Sequence, residues 1–192
     1  MINFPTVLTI SRFIFAIFVS VLLFFNSNLA VIIALILFIL GSLSDALDGA
    51  FARRRSSQSK FGAFLDPVAD KFLVFLVLIS LVYQRESTII FVITILIISR
   101  EIFIMSLREW MANSLNGKTL GVSSLGKTKT ILQMSGISML IATPIIPLSY
   151  YFELSIVVLI IGTFFGYFSA FKYFKESFSN MKLFIWKNVI NS

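Results

Sequence analysis

Apolar residues gather in six long stretches, at about 7–26, 30–51, 64–83, 88–108, 128–148 and 152–173. Each approaches or exceeds the roughly 20 residues that a helix needs to cross the hydrocarbon core of a bilayer. Short turns separate some of them, at 26–28, 84–87 and 144–150. Longer polar segments separate others, at 52–63 and 109–127, and a polar tail follows residue 174. The pattern predicts an all-α integral membrane fold of six transmembrane helices, with residues 1–192 forming one membrane-embedded domain. The first stretch lacks a basic residue ahead of its apolar core and a small-x-small site near Asn28, so it reads as a span and not as a signal peptide. There is no internal repeat and no low-complexity segment.

Composition sharpens this picture. Of the 192 residues 58% are hydrophobic, above the roughly 45–50% of soluble domains, and no soluble domain of any size fits beside six spans. The chain has no Cys and no His, which removes disulfides, thiolate nucleophiles, the usual zinc sites and imidazole bases. Acid–base or metal chemistry must then run on carboxylates. The net charge of +7 has no soluble basic face to carry it, so anionic lipid or phosphate-bearing substrates are the expected partners and nucleic acid is not. Arg53, Arg54, Arg55, Lys60, Arg108, Lys118, Lys127, Lys129, Lys172, Lys175, Lys182 and Lys187 fall at or beyond the same ends of the spans, and Arg85 alone lies opposite. By the positive-inside rule both termini and the two long loops face the cytoplasm.

Four aspartates carry the chemistry. Asp45-Ala46-Leu47-Asp48-Gly49-Ala50-Phe51-Ala52-Arg53 ends the second stretch, and after eight residues Gly62-Ala63-Phe64-Leu65-Asp66-Pro67-Val68-Ala69-Asp70 opens the third. Spacings of three and four put each pair on one helical face, so two adjacent helices can aim four carboxylates at one point. Like charges so close repel, and carboxylates inside a membrane are costly unless neutralised. A bound cation would neutralise them. All-oxygen ligation favours Mg²⁺ or Mn²⁺, and two such ions flanking a phosphate would assist an in-line displacement. Gly49 and Gly62 clear space for a ligand or the facing helix, and Arg53 offers a fork for phosphate oxygens. A plainer reading makes Asp45 and Asp48 a helix-end solvation feature and Asp66 an N-cap before Pro67; it accounts for one aspartate cheaply and for four poorly.

At eight fixed positions the string resembles the signature of the CDP-alcohol phosphatidyltransferases, D-x2-D-G-x2-A-R-x8-G-x3-D-x3-D. The resemblance implies a six-helix membrane fold, usually a homodimer, with the cluster at the cytoplasmic end of helices two and three. It implies that Asp45, Asp48 and Asp66 ligate metal and that Asp70 ligates metal or acts as the base. Asp48, Gly49, Ala52 and Arg53 would contact the CDP group.

The signature leaves the acceptor alcohol open. Pro5-Thr6-Val7-Leu8-Thr9-Ile10-Ser11-Arg12 resembles the P-x-x-L-T-x-x-R element of the family's bacterial phosphatidylglycerophosphate synthase branch, many members of which carry Asn where this chain has Thr6. Thr9 and Arg12 are candidates to touch the nucleotide; helix capping and interfacial snorkelling are the alternative. Ser99-Arg100-Glu101, Leu107-Arg108-Glu109-Trp110 and Gly126-Lys127-Thr128-Lys129-Thr130 resemble the same branch. Arg100 and Glu101 are ionisable residues inside a span, and Arg100 and Arg108 lie on roughly one face. Lys127, Lys129 and Thr130 can add donors for a phosphate dianion. Such cations suit an acceptor that already carries a phosphate. The expected reaction moves phosphatidyl from CDP-diacylglycerol to sn-glycerol 3-phosphate at a bacterial cytoplasmic membrane, with membrane lipid around a homodimer. The alternatives are another acceptor, such as phosphatidylglycerol in a cardiolipin synthase, or an ion transporter. Discontinuous helices and inverted repeats, which mark the last class, are absent from the sequence.

Overall fold

A computed structural model describes residues 4–25, 27–52, 60–114 and 124–190. Among them run six α-helices: α1 (Phe4–Leu23), α2 (Asn28–Ala52), α3 (Lys60–Arg85), α4 (Thr88–Ser114), α5 (Ser124–Ala142) and α6 (Tyr151–Ile190). Three hold stretches long and apolar enough to cross a membrane, Pro67–Arg85, Thr88–Met111 and Tyr151–Lys175, and α1 and α2 hold shorter ones. The fold is that of an all-helical membrane protein.

Helix ends follow local chemistry. Ser27 caps α2, its Oγ accepting from the amide of Ala30 at 3.1 Å. Between α3 and α4, Glu86 turns the chain at φ 47°. The expected fifth span, 128–148, instead ends at Ala142, because Pro144 has no N–H to continue the ladder. The carbonyl of Leu140 released there accepts from the Thr143 hydroxyl at 2.7 Å and from Arg85 Nη2 at 3.4 Å. The sixth apolar stretch, 152–173, matches the segment Tyr151–Lys175, and α6 continues beyond it to Ile190. Lysines mark where a helix leaves hydrocarbon, whereas its end needs a breaker, and the sequence has no proline after Pro147. Asp66 is not an N-cap, since α3 begins six residues earlier, at Lys60.

α1 packs on α2 and α3, α5 lies along α6, α4 bridges α3 and α6, and α2 touches α5. The shared interior is made by Ala16, Val19, Phe38, Leu73, Val77, Leu81, Ile97, Ile137 and Leu159, among others. Large side chains also face outward, Phe164 at 67% exposed and Phe171 at 69%, as suits a bundle whose solvent is lipid. Water then supplies no force between helices inside the bilayer, and close backbone approach does more of the work. At Gly136 an added Cβ would stand 2.6 Å from Leu159 Cγ and 3.1 Å from its backbone nitrogen, and at Gly162 it would stand 3.1 Å from the nitrogen of Gln133. Gly136→Ala should therefore cost about 1–3 kcal/mol by overpacking the α5–α6 seam, read as a lower midpoint of thermal unfolding in detergent. An unchanged midpoint would show that the seam has slack.

Candidate active site

Arg12 ties three helices together. It is fully buried on α1, donating from Nε to Ser44 Oγ of α2 at 2.9 Å and from Nη1 to Asp70 Oδ1 of α3 at 2.6 Å. Burial of an arginine is tolerated only with such partners. Thr9, one turn earlier on α1, is also buried. Because Arg12 meets both Ser44 and Asp70, the acidic ends of α2 and α3 stand level at this point. Asp48 is one turn further along α2 than Asp45, and Asp66 one turn earlier on α3 than Asp70. Two adjacent helices joined by a short link run in opposite directions, so both pairs step toward the same end. The side chains of Asp45, Asp48 and Asp66 lie outside the described residues, as do Arg53 and the surroundings of Gly49, Ala52 and Gly62. The backbone register and a donor set without His or Cys fit a hard, oxygen-ligated divalent cation.

Beyond Asp70 lies a cavity of about 310 Å³ between α3, α4, α5 and α6. Its centre is Glu101, buried on α4. This one carboxylate binds Lys71 through Oε2 at 2.5 Å and Arg100 through Oε1 at 2.7 Å, and Lys129 ion-pairs with Oε1 as well. Arg100 also donates from Nε to the carbonyl of Gly166 at 3.0 Å. Position 166 has no side chain, which matters for Lys129 more than for Arg100: an added Cβ there would lie 3.3 Å from Lys129 Cγ but 3.7 Å from Arg100 Nε, an ordinary contact. Arg108 completes the wall, its guanidinium 5.4 Å from the ring centroid of Tyr173 on α6. Thr130 lines the cavity and donates back to the carbonyl of Gly126 at 3.1 Å.

The structure thus gathers Asp70, Arg100, Arg108, Lys129 and Thr130 around one space. It does not bring Lys127 there; that side chain is exposed, on another side of α5. Three polar lining residues escaped the sequence reading: Lys71, Ser169 and Tyr173. A signal for Lys71 existed, since it directly follows the signature and a buried Glu101 needs more than one partner. Ser169 and Tyr173 sit in an apolar helix with nothing to mark them. Among the described residues, four cations against two carboxylates give the lining an excess of two positive charges, the complement of a phosphate dianion.

A family model for CDP-alcohol phosphatidyltransferase matches residues 2–168. The chain is 41% identical over 136 residues to a CDP-diacylglycerol--glycerol-3-phosphate 3-phosphatidyltransferase of Wigglesworthia glossinidia brevipalpis, covering 71% of this chain and 75% of that protein. A protein of the same name from Yersinia pestis (strain Pestoides F) is 35% identical over 181 residues, 94% of this chain and 97% of its own length. One from Salmonella choleraesuis (strain SC-B67) is 36% identical over 148 residues, 77% and 81% of the two chains. The chain belongs to the CDP-alcohol phosphatidyltransferase family.

Removing the central carboxylate tests the cluster. Glu101→Gln leaves Lys71, Arg100 and Lys129 facing one another without an anion, and breaking a buried pair this way costs about 3–5 kcal/mol. The expected result is a lower unfolding midpoint, partly recovered in the double variant Glu101→Gln/Lys129→Gln. No recovery would mean that Glu101 acts through packing alone.

Proposed function

We propose that this protein transfers the phosphatidyl group of CDP-diacylglycerol to sn-glycerol 3-phosphate, giving phosphatidylglycerol phosphate and CMP. The observation that carries this reading is the cavity with two excess positive charges whose wall includes Asp70, the last aspartate of the signature. Lys71, Arg100, Arg108 and Lys129 hold the acceptor's phosphate, and its primary hydroxyl then lies toward Asp70. The Asp70 carboxylate accepts the hydroxyl proton as the oxygen attacks the phosphorus that bears diacylglycerol. The new P–O bond forms as the bond to the CMP phosphate oxygen breaks. Arg12 fixes the Asp70 carboxylate through its 2.6 Å ion pair and so acts as a positioning residue, while Thr9, Asp48, Gly49, Ala52, Arg53 and Gly62 surround the CDP group.

Asp45, Asp48, Asp66 and Asp70 are the residues that would hold two Mg²⁺ or Mn²⁺ ions. When bound, such ions screen the pyrophosphate and stabilise the leaving phosphate. The charge asymmetry of the loops supports a bacterial cytoplasmic membrane with both termini and the site on the cytoplasmic side, and the family resemblance supports a homodimer. An acceptor without a phosphate leaves the cation cluster without a partner, and phosphatidylglycerol brings only a phosphodiester monoanion against the two excess charges, so glycerol 3-phosphate is favoured over both. Membership of a transferase family disfavours the ion-transport alternative.

The reading is tested by CMP release from CDP-diacylglycerol with each candidate alcohol. Glycerol 3-phosphate should support turnover in the presence of Mg²⁺ or Mn²⁺, and glycerol and phosphatidylglycerol should be poor. Lys71→Gln or Lys129→Gln should raise KM for glycerol 3-phosphate and leave that for CDP-diacylglycerol nearly unchanged. One charge-assisted contact is worth about 1.5–3 kcal/mol, roughly tenfold to a hundredfold in kcat/KM. Equal losses with glycerol as acceptor would remove the phosphate assignment. Asp45→Asn or Asp66→Asn should abolish turnover in protein that still inserts, and full activity in either would remove the metal assignment.

Orientation can be read with single cysteines, since the native chain has none. Labels at Ser56 or Lys118 should react from the cytoplasm, and those at Glu86 or Ser149 only from outside. The reverse pattern would put the site on the wrong side for a cytoplasmic acceptor.

A further inference from the structure

A second concavity, about 550 Å³, lies on the opposite side of the α4–α6 contact from the cation cavity. Its walls are Phe103, Ala170, Phe171 and Phe174, and Arg100 forms part of both this groove and the cavity. Its size falls within the roughly 300–1,000 Å³ of sites for organic ligands. Two hydroxyls face it, from Ser99 and Tyr167, 3.1 Å apart, and both lie 3.1 Å from the carbonyl of Leu96. They satisfy each other and that carbonyl, so the groove makes no demand for a polar occupant. Along the helices it runs from Ser99 and Tyr167 to Phe174. There Tyr173 carries Arg108 on its face, and Lys172 and Lys175 are exposed. An apolar trough with cations at one end is complementary to one molecule of the surrounding bilayer, an anionic phospholipid with a chain in the trough and its phosphate at the cationic end.

We propose that the α4–α6 groove binds an acyl chain of an anionic phospholipid whose headgroup phosphate meets Arg108 at the mouth of the cation cavity. Bound there, the lipid shares Arg108 with the acceptor and competes with it. An enzyme that makes an anionic lipid would in this way be slowed as such lipid accumulates around it. The competition rests on the acceptor reading above; the lipid site itself does not.

Two measurements separate these points. Native mass spectrometry of the detergent-purified enzyme, offered equal phosphatidylglycerol and phosphatidylcholine, should show preferential retention of phosphatidylglycerol, lost in Ala170→Leu, which fills the groove. Phe171→Ala, which strips a wall from an exposed position and adds no bulk, should show the same loss and serves if Ala170→Leu does not fold. Equal retention of the two lipids, or retention unchanged in the variants, would overturn the proposal. In nanodiscs at fixed CDP-diacylglycerol, replacing phosphatidylcholine with phosphatidylglycerol should raise the apparent KM for glycerol 3-phosphate several-fold in the wild type. The rise should be smaller in the groove variants, whose KM in phosphatidylcholine is unchanged. An equal rise in wild type and variants would mean that surface charge alone repels the acceptor, and would overturn the competition. If glycerol 3-phosphate proves not to be the acceptor, the retention result still decides the lipid site.

Discussion

Glu101 is the constraint on which the α3–α6 half of this bundle depends. Lys71, Arg100 and Lys129 come from three helices, and without a shared anion their charges would drive those helices apart in a medium that screens poorly. One carboxylate with two oxygens can hold three cations only if all three are close and partly saturated. All three also line the cavity. The same ion cluster therefore stabilises the packing and keeps a positively charged space open. A fully neutral cluster would pack as well and bind nothing.

The Arg12 cluster and the Glu101 cluster meet at two consecutive residues of α3. Asp70 turns toward Arg12 and the ends of α1 and α2, while Lys71 turns toward Glu101 and α4. Neighbouring residues on a helix point about 100° apart, which lets one short segment serve two neighbouring spaces. Any shift of α3 along its axis would move both at once. α3 packs on both α1 and α4, and Val77, Leu81, Ile90 and Ile97 belong to the buried core of the bundle.

Much of this was legible in the sequence, for identifiable reasons. Six apolar runs gave six helices, because a chain with 58% hydrophobic residues and long uninterrupted stretches has few other ways to satisfy its backbone in lipid. The aspartate register was visible because helical periodicity is local. Arg100, Arg108 and Lys129 were visible because charge in a span is costly. What escaped notice depends on the third dimension: that Lys71 meets Glu101 across α3 and α4, that Lys127 faces away while Lys129 faces in, and that a featureless stretch of α6 supplies Ser169 and Tyr173. The fifth stretch ran past Pro144, where the helix breaks, because the residues there stay apolar; the sixth, 152–173, matches the apolar segment Tyr151–Lys175, while the helix itself continues to Ile190.

The glycine at 166 shows how much of the site's shape is fixed by matter that is missing. With no side chain there, Lys129 can lie close against α6, beside the carbonyl that accepts from Arg100. The position contributes no charge, yet what stands there sets how close one of the cavity's cations comes to α6. An alanine would nudge the lysine by a few tenths of an ångström, and a larger residue would displace both cations. The placing of a buried cation thus depends on a residue that an inventory of reactive groups would pass over.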